Sequence, residues 1–414
     1  MRTIVEPSEF RNRLESLEAW LWRDGATSLR LPPPAVDVLA QRVVDLSDVY
    51  TTERDMLGRL PLRQGHLLAK VLYFLCADAP KPHLVLGEVD ARLPGSPVPR
   101  HVIDFGCGVG ATSAGFLLSL ASGGDGARPS TESTESTESI ESTEAGRAIR
   151  ITGVDRDPAA LEVWRAVVER CAAITGVRVD AQPVVGDAAT VEMPDGVDLV
   201  LCQAALNEML VPRGGGELSH DERTRALVYS WATRSRTVLI EPALRIVTRP
   251  LHALRDAVLA SGGVRVLAPC PHQRACPMLA SPRDWCHEIR PWRPTPRVAE
   301  VDRVTKRRDE RVKHSFVVLA PAGPGQTATN EAGAPSSPTR LSVRVVSDAL
   351  VSKGKVERFV CGGDGVLRRL RVLDRERTPD NALLATAERG AMVTIEGLGE
   401  SDRVAAGVRM QRTL

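Results

Sequence analysis

Residues 101–121, HVIDFGCGVGATSAGFLLSLA, constrain the fold more than any other stretch of the chain. A short apolar run, a turn carrying Gly106, Gly108 and Gly110, and an apolar helical run follow one another without a break. Glycine at such a turn adopts backbone angles closed to other residues and lets main chain approach a ligand closely. The segment predicts the first buried strand of a parallel sheet, its helix, and a nucleotide-type site between them.

Such a site needs an acid at the end of the second strand to accept ribose hydroxyls. Asp155 in GVDRDP lies 49 positions after Gly106, where about 20 is usual. The excess is residues 122–147, an acidic stretch built on a Ser-Thr-Glu repeat with almost no apolar residues. Such a segment buries too little surface to offset its ordering entropy and reads as a disordered surface insertion. With it set aside, Asp155 falls where the acid belongs. Asp187 in VVGDA follows the third strand, a place to meet an adenine amino group. Asp104, Gly106, Gly108, Gly110, Asp155 and Asp187 are therefore the candidate cofactor-binding residues. The order DFGCGVG, GVD, GDA resembles class I S-adenosylmethionine-dependent methyltransferases. A dinucleotide motif expects its third glycine where Ala111 stands, and Asp104, two positions before Gly106, favours the methyltransferase reading.

The rest of the chain divides around this core. Residues 1–97 read as helical, with Leu14, Leu17, Leu21, Val36, Leu39 and Val43 at helical spacing, and a buried helix over 66–79 ending near Pro80. Over 98–321, strand and helix signals alternate, with strands at 149–155, 237–244 and 314–321. That alternation predicts an α/β, Rossmann-like, doubly wound and mostly parallel sheet. Residues 322–340, rich in Gly, Pro, Ser, Ala and Thr, read as a linker. Residues 341–414 hold short strands between Gly or charged turns, a small β-rich domain.

With 414 residues, 43% hydrophobic and 26% charged, the chain is neither fibrous nor wholly disordered. Its net charge of +2 excludes a polycation. No stretch approaches 18 apolar residues, so no membrane span is expected. The first residues lack the apolar core of a secretory signal and carry Glu6, Glu9, Glu15 and Glu18, which leads us to expect a cytoplasmic protein. In a reducing compartment, clustered cysteines read as metal ligands or redox groups rather than disulfides.

Four of the eight cysteines fall between residues 270 and 361. Cys270, Cys276 and Cys286 lie within 17 residues in APCPHQRACPMLASPRDWCHEI. Three thiolates so close fit a metal site, with Cys361, His272 or His287 as the fourth ligand. Spacing alone leaves zinc and iron–sulfur both open. Cys76, Cys107, Cys171 and Cys202 read as core thiols.

The CPH…CPM…WCH run (270–287), Ile240-Glu241-Pro242, HSF (314–316) and VCGGDGVLRR together resemble the methyltransferase-like family of mitochondrial and bacterial small-ribosomal-subunit assembly proteins. The resemblance covers about 100–121 and 148–373. It implies S-adenosylmethionine binding and a [4Fe–4S] site with Cys270, Cys276, Cys286 and Cys361 as ligands, zinc being the alternative. It also implies the small ribosomal subunit and its rRNA as partner. The chain departs from the family at Ala243, where a glycine is usual.

Residues 290–313 hold nine Arg or Lys against four acids, among them Lys306, Arg307, Arg308, Arg311 and Lys313. With Arg368, Arg369 and Arg371 they predict RNA phosphate contact. The fourth-strand loop CQAALNEML lacks an Asn-Pro-Pro-aromatic sequence, and Cys202 sits within the strand, which argues against amino-group and cytosine-C5 chemistry. No general base stands out; His287, Glu208 and Glu241 are candidate participants. Methyl transfer can proceed by alignment alone. Two other readings stand beside the assembly factor: a methyltransferase for a small molecule or protein with structural zinc, and a non-catalytic RNA- or ribosome-binding module.

Overall fold

The computed structural model describes residues 4–25, 33–51, 64–121, 148–212, 218–307, 310–323, 340–399 and 401–413. The expected disordered insertion, 122–147, and most of the expected linker lie outside the described residues.

Helices α1 (Pro7–Trp20), α2 (Val36–Thr51), α3 (Gln64–Ala69) and α4 (Pro80–Arg92) precede the sheet. Between α3 and α4 the chain stays helical through a wide turn, Lys70–Phe74, and a short one, Leu75–Asp78. Pro80 is thus a joint rather than an end. It opens α4 at the first helical turn, where a missing N–H is not needed. Phe10, Leu14 and Leu17 form the buried face of α1. Glu18, on the same helix, accepts hydrogen bonds from Thr295 Oγ1 (2.5 Å) and the Arg297 and Val298 amides (3.0 and 3.1 Å). It thereby satisfies the open N-terminus of a helix nearly 280 residues away in sequence.

Among the described residues the central sheet has eight strands, seven of them on its main path: β1 (His101–Phe105), β2 (Ile149–Asp155), β3 (Val179–Val185), β4 (Leu199–Gln203), β5 (Arg236–Glu241), β6 (Val264–Ala268) and β7 (Arg311–Pro321). Their order is β3-β2-β1-β4-β5-β7-β6. Strands β1 to β5 pair in parallel, and β7 runs antiparallel to both β5 and β6. The segment Glu288–Pro291 pairs with the start of β7. Leu199–Gln203 is buried throughout, as a strand covered on both faces requires. Helices α5 (Ala111–Ser119), α6 (Pro158–Thr175), α7 (Glu222–Arg234) and α8 (Arg245–Ala260) provide the cover, and α9 (Pro296–Val304) is the helix that Glu18 caps. The expected doubly wound, mostly parallel sheet is present.

Six antiparallel strands follow: β8 (Arg340–Val345), β9 (Leu350–Ser352), β10 (Lys355–Gly362), β11 (Leu367–Leu373), β12 (Met392–Glu396) and β13 (Arg409–Arg412). Val343, Val360, Leu370, Val393 and Ile395 form their core. Arg344, on β8, is 1% exposed and reaches into the rest of the molecule. Its guanidinium meets Glu88 of α4 at 2.6 and 2.9 Å and Glu288 at 2.8 Å. It also donates to the Pro269 carbonyl (3.1 Å). Both carboxyls are held below their usual range: burial pushes them up, and the attraction of Arg344 overcomes it.

Candidate functional site

Strand order reverses at β1, which lies between β2 and β4. In an open parallel sheet a ligand crevice forms at such a switch point, at the carboxyl ends of the strands. A cavity of about 1310 Å³ lies there. The chain following each of β1, β2, β3, β4 and β5 contributes to its lining, from Gly106, Asp155, Asp187, Ala204 and Pro242 respectively.

The glycine turn is tied to the second strand. Gly106 and Cys107 donate to the Val154 carbonyl (2.8 and 3.1 Å), and the Gly108 amide donates to Asp155 Oδ2 (2.9 Å). Asp155 Oδ1 accepts from the Asp157 amide at 3.0 Å. Gly106 has φ +68°, and a Cβ there would stand 2.4 Å from the Cβ of Ala205. Asp187 Oδ1 turns its own loop by accepting from the Ala189 amide (2.8 Å). Asp104 lies beneath the turn, wholly buried, and accepts from Ser113 Oγ (2.6 Å), which in turn accepts from Trp164 Nε1 (2.9 Å). Its second oxygen, Oδ1, is buried without a hydrogen-bond partner. Burial pushes this carboxyl up to about 7. Gly106, Gly108, Asp155 and Asp187 thus share one cavity, while Asp104 and Gly110 support its floor from outside the lining.

The candidate participants separate. Glu208 lines the cavity and pairs with Arg156 at 3.1 Å. Glu241 is 2% exposed and accepts from the Asn207 amide (3.2 Å) and side chain (2.7 Å), so it fastens the β4 loop to β5 instead of facing the cavity. His287 stacks on Trp285, with centroids 5.4 Å apart, and belongs to the cysteine loop. Sequence reasoning named Arg307 and Lys313 as basic residues but did not place them, or the rest of the far wall, at the cavity. α2, the turn after α3, the start of α4, the segment after α9, and β7 close the cavity with Tyr50, Lys70, Phe74, Lys81, Arg307 and Lys313. Helical periodicity marks which face of α2 is apolar but not what that face covers.

The four late cysteines are neighbours. Cys276 and Cys361 share a small apolar cluster with Met278 and Val346, and Cys286 packs against it. Cys270 lies close enough to bear electrostatically on Cys276, Cys286 and Cys361. One helix face organises the loop that carries three of them. On α8, Arg249 donates to the Ser281 and Asp284 carbonyls (2.6 and 2.8 Å). His252 Nε2 meets the Cys286 carbonyl (3.0 Å), Arg255 donates to the His272 carbonyl (2.9 Å), and Asp256 accepts from the Cys276 amide (2.8 Å). Positions three and four apart share one side of a helix, and here a polar side is turned inward. His272 accepts at Nδ1 from the Arg274 amide (3.1 Å), so its proton is on Nε2, 3.3 Å from Cys361 Sγ. It therefore serves as a donor to that sulfur, and of the three candidates for a fourth ligand only Cys361 joins the other cysteines with its sulfur. Burial pushes Cys276 up to about 12 and raises Cys286 and Cys361 as well. Among the described residues, no three His, Cys, Asp or Glu side chains are arranged to hold a metal ion. Cys76, Cys107, Cys171 and Cys202 are all buried apart from this group.

Much of the expected basic footprint has internal partners. Arg290 pairs with Glu288 (3.0 Å), Arg297 lies over the Trp22 ring and pairs with Glu300 (2.8 Å), and Arg307 donates to Ser47 (2.5 Å). Arg368 pairs with Asp364 (2.5 Å) and Arg369 with Glu357 (2.9 Å). Lys306, Arg311 and Arg371 remain exposed, and Arg308 lies outside the described residues. No helix among the described residues is long and apolar enough to cross a membrane.

Residues 137–387 match the family described as mitochondrial small ribosomal subunit Rsm22. No curated protein matches the chain. Among solved structures, the chain is similar to a putative class I S-adenosylmethionine-dependent methyltransferase from Listeria monocytogenes. The identity is 12%, covering 78% of this chain and 90% of that one, with a TM-score of 0.36. It is also similar to magnesium protoporphyrin IX methyltransferase from Synechocystis PCC 6803 (12% identity, 68% and 96% covered, TM-score 0.33). A third is a putative RNA methyltransferase from Pyrococcus horikoshii (15% identity, 58% and 85% covered, TM-score 0.29). The architecture of this chain is an α/β, doubly wound, mostly parallel sheet, with an antiparallel β-rich region at its C-terminal side.

Proposed function

The chain belongs to the Rsm22 family of the small ribosomal subunit, and from that premise we propose that it binds S-adenosylmethionine at the cavity and works on the small ribosomal subunit through its RNA. The observation that carries the reading is the convergence of five strand-end segments on one cavity, with the Gly108 amide locked to Asp155. The absent Cβ at Gly106 leaves the main chain open to a close ligand approach. Asp155 would accept the ribose hydroxyls and the loop at Asp187 would meet the adenine. S-adenosylmethionine supplies a methyl group on a sulfonium, and the residues around it need only align an acceptor and exclude water. Calorimetry with S-adenosylmethionine tests binding, and methyl transfer to small-subunit particles tests turnover. Absence of any binding overturns the reading; binding without transfer favours the non-catalytic module.

We also propose a [4Fe–4S] cluster held by Cys270, Cys276, Cys286 and Cys361. The donor chemistry fits. Four cysteines from two distant segments are neighbours, the buried Arg255 lies near enough to Cys270 and Cys276 to feel their charge, and His272 aims an N–H at Cys361. Burial raises the thiols of Cys276, Cys286 and Cys361, and a bound metal would offset that cost by holding them as thiolates. The cluster would act as a staple between the methyltransferase-like region and the β-rich region. Iron, sulfide and zinc analysis of anaerobically purified protein decides the matter, zinc without sulfide supporting the alternative metal. The family's description is mitochondrial, so a cytoplasmic location does not follow from membership.

A further inference from the structure

The cavity has two electrostatic halves. The loops after β2, β3 and β4 contribute Asp155, Asp157, Asp187 and Glu208, against which stands Arg156. The opposite wall contributes Lys70, Lys81, Arg307 and Lys313 against a single carboxylate, Asp78, which pairs with Lys81 at 2.6 Å. Arg307 is bonded to a neutral hydroxyl, that of Ser47, and Lys70 Nζ lies 6.0 Å from the Tyr50 ring centroid. S-adenosylmethionine carries one carboxylate, and a wall lined by four cations can take a further anionic group beside it. The volume points the same way, since about 1310 Å³ exceeds the 300–1,000 Å³ of ordinary ligand pockets.

Between the halves stands Gln203, at the tip of β4 and lining the cavity. It is 8% exposed. Its amide nitrogen donates to the Asp78 carbonyl (3.4 Å), which fixes the orientation of the group, and its Oε1 is buried with no partner. A buried carbonyl oxygen without a partner costs free energy unless a ligand donates to it. The next residue, Ala204, has φ +55°, a strained conformation for a residue with a side chain, at the lip of the same cavity. Tyr50 and Phe74 bring aromatic surface to the same space.

We propose that the wall formed by α2, the turns following α3, the segment after α9, and β7 is an acceptor subsite for a single nucleotide turned out of an RNA strand. Its phosphate meets Arg307 and Lys313, its base lies along the Tyr50 and Phe74 side, and a base N–H donates to Gln203 Oε1. The inference rests on the cofactor reading above, with S-adenosylmethionine in the acidic half. A base taken out of its stack is recognised by this combination of an apolar slot and edge hydrogen bonds.

The test uses the full chain saturated with S-adenosylhomocysteine and three probes: cytidine 5′-monophosphate, cytidine and inorganic phosphate. The nucleotide is expected to bind at least tenfold tighter than either other probe. Lys313→Glu, on an exposed side chain, should remove that tenfold advantage while leaving S-adenosylhomocysteine affinity and the melting temperature unchanged. Gln203→Leu should weaken nucleotide and nucleoside alike, by about fivefold, with no effect on phosphate. Normal S-adenosylhomocysteine binding with no nucleotide preference, or phosphate binding as well as the nucleotide, overturns the subsite and leaves the cofactor reading standing. Failure to bind S-adenosylhomocysteine overturns both. Methyl label appearing in ribosomal protein rather than rRNA also overturns the subsite.

Discussion

His272 and Cys361, 89 positions apart, meet through an imidazole Nε2 and a thiol sulfur at 3.3 Å. The Arg274 amide occupies the other ring nitrogen, so the histidine can only donate to that sulfur. Burial lowers its pKa to about 4, which keeps it neutral across the physiological range. If the four cysteines hold a cluster, this N–H stabilises the more electron-rich state. His272→Leu is then expected to retain iron but lower the reduction potential, measured by redox titration of the visible absorbance. Loss of iron from that variant would instead make the histidine part of the ligand set.

Cys361→Ser tests the proposed ligand set and its role as a staple together. It should bleach the iron–sulfur absorbance and speed proteolysis of the β-rich region, because a ligand carried on β10 is lost. Unchanged absorbance together with unchanged proteolysis would sink the proposed ligand set.

The ion group around Arg344 is more than an adornment of the surface. Arg344→Leu leaves Glu88 and Glu288 buried without their main cation. A loss of about 3–5 kcal/mol is expected, read from denaturant unfolding. The triple variant with Glu88→Gln and Glu288→Gln should recover part of this loss, since the uncompensated charges are then gone.

Asp104 makes a prediction about pH. Its folded pKa, about 7, lies above the unfolded value near 3.8, so the folded chain binds the proton more tightly. The associated stability is fully present below pH 3.8 and is lost as pH rises through 7. Asp104→Asn should flatten the unfolding midpoint between about pH 4 and 8, gaining on the parent protein at the upper end of that range. A parallel dependence in both proteins would show that another group is responsible.

Gly106→Ala tests the turn. The added methyl meets Ala205 at a distance no packing tolerates, and φ +68° strains any side chain. A destabilisation of about 1–3 kcal/mol is expected, together with weakened S-adenosylmethionine binding by calorimetry.

The sheet was legible because its strands are short apolar runs divided by helical runs, a pattern local enough to survive in one dimension. Setting aside residues 122–147 placed Asp155 in register with the glycine turn, and its carboxylate lies 2.9 Å from the Gly108 amide. The late cysteines were legible as a group because three of them are close in sequence. What escaped was inward-facing polarity. Arg249, His252, Arg255 and Asp256 look like an ordinary solvated helix face, yet that face shapes the cysteine loop. Arg290, Arg297 and Arg307 look like a cationic patch, yet each has a partner inside the molecule. Charge count carries no information on which partner a long side chain will find.

The Arg344–Glu88 contact spans 256 positions and so has an order in time. At 5–20 residues per second, roughly 10 to 50 s of synthesis separate the emergence of Glu88 from that of its cation. Through that interval the N-terminal helices and the central sheet can form, but the carboxylates of Glu88 and Glu288 must stay hydrated. The seam they line is the last to close, and it closes only on a chain that has been translated into its β-rich region. A truncated product therefore leaves open a seam that the finished protein buries.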